Sequence, residues 1–329
     1  MTNYRNKILE ATTQANSFKD RTLDGWETEF DLWAIVDELD IPIFFRPLDN
    51  LWGGAITIGD EQGILVKSNL PKHLQRFTLA HELGHVVLGH GDQIDDEYSV
   101  NMRVSTDSDR PVEEITADAF ASELLASREI ISQHAIRNDW GKEELRTPKY
   151  IYQLSIRLGI SFEATVWALV EHELLSQKKG EEYNDNPDFP RGSKQFFVPE
   201  GITWNPHADV WSLSPQESDV RLNADKKDIF LVELEERTSS GYRWDFPKES
   251  HVEKIFDEEY AGDKYGESGL RKIGFKFPDP GNHSIQLKQM RPWNGEVIDE
   301  LNFSLDTRGG QDIGLPRNKK QAALQQEVA

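Results

Sequence analysis

Apolar residues recur along the first half of the chain at helical spacing. Leu32, Ile35, Val36 and Leu39 fall at i, i+3, i+4 and i+7, so a helix is expected over Glu29 to Leu39 with that stripe as its core face, and an opening helix near Tyr4 to Phe18. Ile41 to Arg46, Ala55 to Ile58 and Gly63 to Lys67 are short extended runs, the last two joined by Gly59-Asp60-Glu61-Gln62 as in a hairpin. From Leu74 to Leu88 the apolar positions Phe77, Leu79, Leu83, Val86, Val87 and Leu88 are spread round the helix, which predicts a central, buried one. A polar, acidic loop from His90 to Arg110 precedes a helix with Pro111 in its first turn, running to about Ala126. Helices near Tyr150 to Leu158 and Phe162 to Leu175 follow.

The segment Gln177 to Ser193 is polar, rich in Gly, Pro, Asn and Asp, and has no apolar period, so it reads as a linker. Beyond it the period changes to two: DIFLVELEE, LRKIGFKF, HSIQLKQM and LNFSLD alternate and are bounded by turn residues, as in an antiparallel β-sandwich. The expected organisation is α+β, with a mainly helical domain carrying a small sheet over 1–176, a linker over 177–204, a sandwich over 205–307 and a flexible tail over 308–329.

Composition narrows the function classes. The 37 Lys plus Arg against 58 Asp plus Glu give a net charge of −21, which disfavours direct binding of nucleic acid or of anionic membrane surfaces. No run approaches the roughly 18 apolar residues that span a bilayer. The opening MTNYRNKILEATTQANSF lacks the apolar core of a secretory signal, so a cytoplasmic location is expected. Tyr150 to Leu175 has the cadence of a helix-turn-helix, but FEATVWALVEHELL carries Glu163, Glu171 and Glu173 and no Lys or Arg, unlike a DNA-reading helix. Cysteine is absent, so a metal must be held by His, Asp or Glu.

Such a set is present. In His81-Glu82-Leu83-Gly84-His85 the histidines lie one turn apart on one helix face, where both imidazoles reach one ion, and Glu82 projects about 100° round the helix toward a water on that ion. Catalytic zinc needs a third protein ligand and an open position. His90 is out of register for a third histidine, and the next helix offers Glu113 and Glu114. Only Glu114 has a carboxylate, Asp118, one turn later on its stripe, where it can hold the other ring N–H of a ligating histidine; Glu114 is therefore the expected ligand and Asp118 its supporting partner. Zinc so held implies peptide hydrolysis with Glu82 as general base. The Ala55 to Lys67 hairpin is the candidate sheet edge for an extended substrate. Tyr98, His90 and Arg103 lie in the intervening loop as candidates for an oxyanion partner, though a polar surface residue is the commoner explanation for each.

Two blocks, RFTLAHELGH at 76–85 and EITADAFASELL at 114–125, together with the strand Gly63-Ile64-Leu65-Val66 and Asn69, resemble the ImmA/IrrE family of metallopeptidases over about residues 25 to 176. Asp118 stands where that family often has Asn, and Ala126-Ser127 where Met-Pro is common. The resemblance implies a zincin-like domain with a helical tail that cleaves a helix-turn-helix repressor or antitoxin in trans. Over about 205 to 307, Thr238-Ser239-Ser240-Gly241-Tyr242-Arg243-Trp244, Gly266-Glu267-Ser268-Gly269 and Arg291-Pro292-Trp293 are similar to the three loop motifs of chagasin-like cysteine-protease inhibitors, an immunoglobulin-like sandwich family. Arg237 and Thr238 replace that family's usual Asn-Pro. Ser239, Ser240, Gly241, Arg291, Pro292 and Trp293 are the expected protein-binding loops, recruiting substrate, regulating the cleft or meeting a protease. Tyr242, Trp244 and Trp293 would equally serve to fill or seal the sandwich. A non-enzymatic inhibitor module on a metal-stabilised scaffold is the alternative function.

Overall fold

The computed structural model describes residues 2–22, 32, 35–36, 39–58, 61–91, 93–96, 110–186, 188–247, 251–260 and 268–308. By their contacts they form two compact units: one comprises the described residues up to Ile130 with Leu158–Ser161, the other Ile131–Arg157 and Phe162 onward. This division falls well before the expected linker. Among the described residues, no helix is long and apolar enough to cross a membrane.

The first unit opens with α1 (Thr2–Thr22), whose Ala11, Ala15 and Phe18 are buried. Leu32, Ile35 and Val36 are helical and buried, whereas Leu39, the last position of the expected stripe, sits in a turn and is 38% exposed. Three strands follow, β1 (Ile43–Arg46), β2 (Leu51–Ile58) and β3 (Glu61–Lys67), then the long helix α2 (Lys72–Leu88), the short strand β4 (Gln93–Asp96) and α3 (Val112–Ala126). The sheet runs β1-β3-β2-β4; β1 and β3 are parallel and the other pairs antiparallel. The β2–β3 hairpin is thus central. Its residues Gly53–Ala55 are paired on the far side by β4 and Ile64–Lys67 by β1, so the expected substrate edge over Ala55 to Lys67 is corrected: the edge strands are β1 and β4.

α2 is buried all round from Thr78 to His85, with no side facing solvent, as its scattered apolar positions require. It crosses α3 closely at a small-residue contact: a Cβ on Gly84 would lie 3.2 Å from both Ala117 Cα and Phe120 Cδ1. Gly89, at φ 71, ends α2 by turning into the left-handed region open to glycine. The helix pair shares its core with α1, where Phe18 meets Phe120 edge-on at 6.0 Å. Each such buried aromatic or leucine contributes about 1.5–3 kcal/mol.

In the second unit, α4 (Arg128–Arg137, begun in the first), α5 (Pro148–Leu158) and α6 (Phe162–Glu171) precede α7 (Gln177–Asn184) and α8 (Asp188–Phe197). The last two replace the irregular linker expected over Gln177 to Ser193. Ser176 caps α7 by accepting from Lys179 N, while Tyr183 is buried, donates to the Arg146 carbonyl at 2.7 Å and meets Phe189 at 5.1 Å. Phe197 packs against the cluster of Val210, Ile229 and Leu231, and Lys194 donates to the Ala208 carbonyl at 3.0 Å, so α8 is held by contacts distant in sequence, while its Pro190 and Gly192 are breaker residues that read as irregular chain.

The remaining strands, β5 (Val210–Leu213), β6 (Arg221–Asn223), β7 (Ile229–Glu236), β8 (Arg243–Asp245), β9 (Glu253–Tyr260), β10 (Gly269–Lys276), β11 (Asn282–Met290) and β12 (Val297–Asp306), form two four-stranded sheets, β5-β7-β10-β9 and β6-β12-β11-β8. Their inward positions, among them Trp211, Phe230, Trp244, Phe275, Phe277 and Phe303, form one core cluster. The chain is α+β, with a mixed helical and sheet N-terminal region and a C-terminal sandwich, as its periodicities predict, but the sandwich is not wholly antiparallel: β5 runs parallel to β7 and β6 parallel to β12.

Candidate metal site

α2 and α3 bring together the imidazoles of His81 and His85 and the carboxylate of Glu114, the one group among the described residues with the donors and spacing for a metal ion. His81 Nε2 and His85 Nε2 are 3.0 Å apart; Glu114 sets Oε2 3.5 Å from the first and Oε1 3.5 Å from the second. Ligand atoms about 2.0–2.1 Å from a tetrahedral ion stand about 3.3 Å from one another, so these separations match three corners of such a site. Both histidines are fully buried, a costly placement unless their lone pairs are engaged. The residues therefore fit a tetrahedral metal with one open position.

Each histidine is held from behind. His81 Nδ1 donates to Asp118 Oδ1 at 2.8 Å, and Asp118 Oδ2 accepts from Arg110 Nη2 at 2.7 Å. That bond fixes the proton on Nδ1 and turns the Nε2 lone pair toward the ion position. Arg110 went unrecognised in the sequence because it precedes α3 and shares no helical stripe with Asp118. His90 directs its two ring nitrogens to His85 Nδ1 (3.0 Å) and Thr116 Oγ1 (3.4 Å), and burial lowers its pKa, so it is not an oxyanion partner in this geometry. Tyr98 and Arg103 lie outside the described residues. Glu113 is not part of the group; its carbonyl accepts from Thr116 Oγ1 at 3.0 Å.

Glu82 is fully buried one residue after His81 and faces β2. A Cβ on Gly53 would lie 2.7 Å from Glu82 Oε1, 2.5 Å from Thr78 Cγ2 and 3.0 Å from the Leu65 carbonyl. Glycine at 53 is what lets the strand pass this close. The signal was present, since Gly53-Gly54 inside a strand marks a close approach.

On the sandwich, Thr238–Ser240 form a short 3-10 turn ended by Gly241 at φ 77. Ser240 and Gly241 meet the Arg291-Pro292-Trp293 turn, whereas 261–267, with Gly266 and Glu267 of the middle motif, lie outside the described residues. Arg291 is clamped: its guanidinium is 4.4 Å from the Tyr242 ring centre, Nε donates to the Ser240 carbonyl at 3.3 Å, and Nη1 meets Glu296 Oε2 at 2.7 Å. Tyr242 Oη donates to Glu296 Oε1 at 2.8 Å, which raises the phenol's pKa and lowers that of the carboxyl. Glu296, absent from the sequence motifs, thus ties the two loops. Trp244 and Tyr242 are buried, but Trp293 is 69% exposed and packs over Gly241, where any Cβ would overlap its ring. Trp293 therefore does not fill the sandwich.

Comparison with known proteins finds two separate family matches along the chain. The IrrE N-terminal-like domain of peptidase family M78 matches residues 36–169, and the chagasin family of peptidase inhibitors, I42, matches residues 223–306. The first match includes the residues of the candidate metal site, and the second includes the loops joined by Arg291 and Glu296. No curated protein matches it significantly. Among solved structures, the crystal structure of the cysteine protease inhibitor EhICP2 from Entamoeba histolytica is 25% identical, with 32% of this chain and 100% of that one covered at a TM-score of 0.29. The solution structure of Amebosin is 18% identical, with 29% and 94% covered at a TM-score of 0.25.

Proposed function

We propose that the chain is a zinc endopeptidase acting on a protein substrate, a helix-turn-helix transcriptional repressor or antitoxin, which its sandwich recruits. The observation that carries this reading is the convergence of His81, His85 and Glu114 at tetrahedral-ligand separations beside the buried Glu82. A zinc ion supplies Lewis-acid polarisation of the scissile carbonyl and acidification of water. Glu82 takes the proton from the attacking water and passes it to the leaving amine. Asp118 and Arg110 keep His81 in the tautomer that ligates.

Metal analysis and cleavage assays test this. The wild type should hold one zinc per chain; Glu82→Gln should keep it while losing about 10²–10⁴-fold in proteolysis. Glu114→Ala should lose the metal and Glu113→Ala retain it. Substrates are sought by co-expression with helix-turn-helix repressors encoded nearby, and cleavage that persists in Glu82→Gln would overturn the assignment.

The exposed Trp293 beside the clamped Arg291 supports a second reading, a protein-binding or protease-inhibiting module. Titration of papain separates the two: inhibition lost in Trp293→Ala with zinc content unchanged favours an inhibitor, and absence of inhibition favours recruitment alone.

A further inference from the structure

His90 is left over by the mechanism, yet its position is determined. Gly89 and His90 close a Schellman motif on α2: Gly89 N donates to the Val86 carbonyl at 3.3 Å and His90 N to the His85 carbonyl at 3.0 Å. The left-handed turn at Gly89 folds the chain back, so the His90 ring meets the His85 ring edge-on with centroids 5.0 Å apart.

We infer that His90 is a positioning residue for the metal site: it fixes the tautomer of His85, as Asp118 does for His81. The direction of the hydrogen bonds follows from where the series ends. Thr116 Oγ1 donates to backbone carbonyls, Val112 O at 2.9 Å and Glu113 O at 3.0 Å, which can only accept. With its proton so committed, Oγ1 accepts from His90 Nε2. A neutral His90 that carries its proton on Nε2 has its lone pair on Nδ1, and that lone pair accepts from His85 Nδ1 at 3.0 Å. His85 then bears its proton on Nδ1, and its Nε2 lone pair faces His81 Nε2 and Glu114. A run of three hydrogen bonds, anchored on the first turn of α3, thus prepares the second imidazole for ligation. It also links the two helices that carry the three donors, so the geometry of the ligand set and the tautomer of His85 are fixed by one connection. Arg110 and Asp118 do the same for His81 from the other side.

The inference rests on the zinc reading, and the test separates the two. Zinc affinity of the full chain is measured by competition with a chromophoric chelator, and the cobalt-substituted protein supplies a coordination spectrum. His90→Ala should bind zinc about 10–100-fold more weakly, the effect usual for loss of an outer partner of a ligating histidine. His90→Asn, whose amide oxygen can accept near the place of Nδ1, should recover much of that affinity and the wild-type cobalt spectrum. Thr116→Val, which leaves His90 free to carry its proton on either nitrogen, should give an intermediate loss. Equal zinc affinity and equal cobalt spectra in wild type and His90→Ala would overturn the role of His90 while leaving the metal site standing. Equal losses in His90→Ala and His90→Asn would also overturn it, since they would show that the ring only fills space. A wild-type chain that binds no zinc would overturn both readings.

Discussion

At the scale of single residues, the site depends as much on what is missing as on what is present. Gly53 has no side chain, and that absence lets β2 lie against Thr78 and Glu82. Gly53→Ala should destabilise the first unit by about 1–3 kcal/mol, the usual cost of overpacking. It should also reduce proteolysis more than it reduces zinc content, because the methyl group meets Glu82 and not the three donors; thermal melts paired with metal analysis measure both. The histidine pair and Glu82 were legible because a four-residue spacing is a local property of one helix. Glu114 and Asp118 were legible for the same reason, being one turn apart on the next. Arg110 and Thr116 were not, since their partners are reached through space.

At the scale of elements, short-range pattern predicted the long helices and the alternating strands well, and it failed where an element is fixed by segments distant in sequence. α7 and α8 are such a case, and so is the hairpin, whose central place in the sheet depends on two strands paired to its outer sides. The second unit holds another feature without a periodic signature. Arg157 on α5 and Glu217, just before β6, have fully buried side chains paired at 2.7 Å, and the guanidinium also lies over the rings of Trp140 (5.2 Å) and Trp211 (5.8 Å). Burial alone would raise the Glu217 carboxyl, but the charge and hydrogen bonds of Arg157 and the bonds from Ser214 and Asn138 outweigh it, so its pKa lies below the usual value. A depressed carboxylate contributes stability above the unfolded-state pKa and loses it as the pH falls through the folded value. Glu217→Ala, which leaves the guanidinium buried without its partner, should cost about 3–5 kcal/mol in urea unfolding at neutral pH. Glu217→Gln should flatten the acid limb of the stability curve.

At the scale of the whole molecule, the candidate metal site and the candidate protein-binding loops lie in different compact units. A ligand that binds only the folded state stabilises the structure holding its site, by about 2.7 kcal/mol when free ligand is 100-fold above its Kd. Calorimetry should therefore show a chelator-sensitive transition from the unit with His81, His85 and Glu114, while Trp293→Ala, altering an exposed side chain, should leave both transitions within about 0.5 kcal/mol of wild type. A chelator that shifted no transition would count against a metal in that unit.

By itself, the sequence determined the class of each half, because helical and strand periods are set by backbone geometry and recorded in the order of apolar residues. It named the candidate donor set as well, since the absence of cysteine and two helical spacings left few candidates. Only the tertiary structure decided that β2 and β3 are interior strands, that polar segment 177–197 is largely helical, that Trp293 faces outward while Trp244 faces in, and that His90 returns to His85. Each of these depends on which chain segments meet across long sequence separations, and spacing along the chain does not record that.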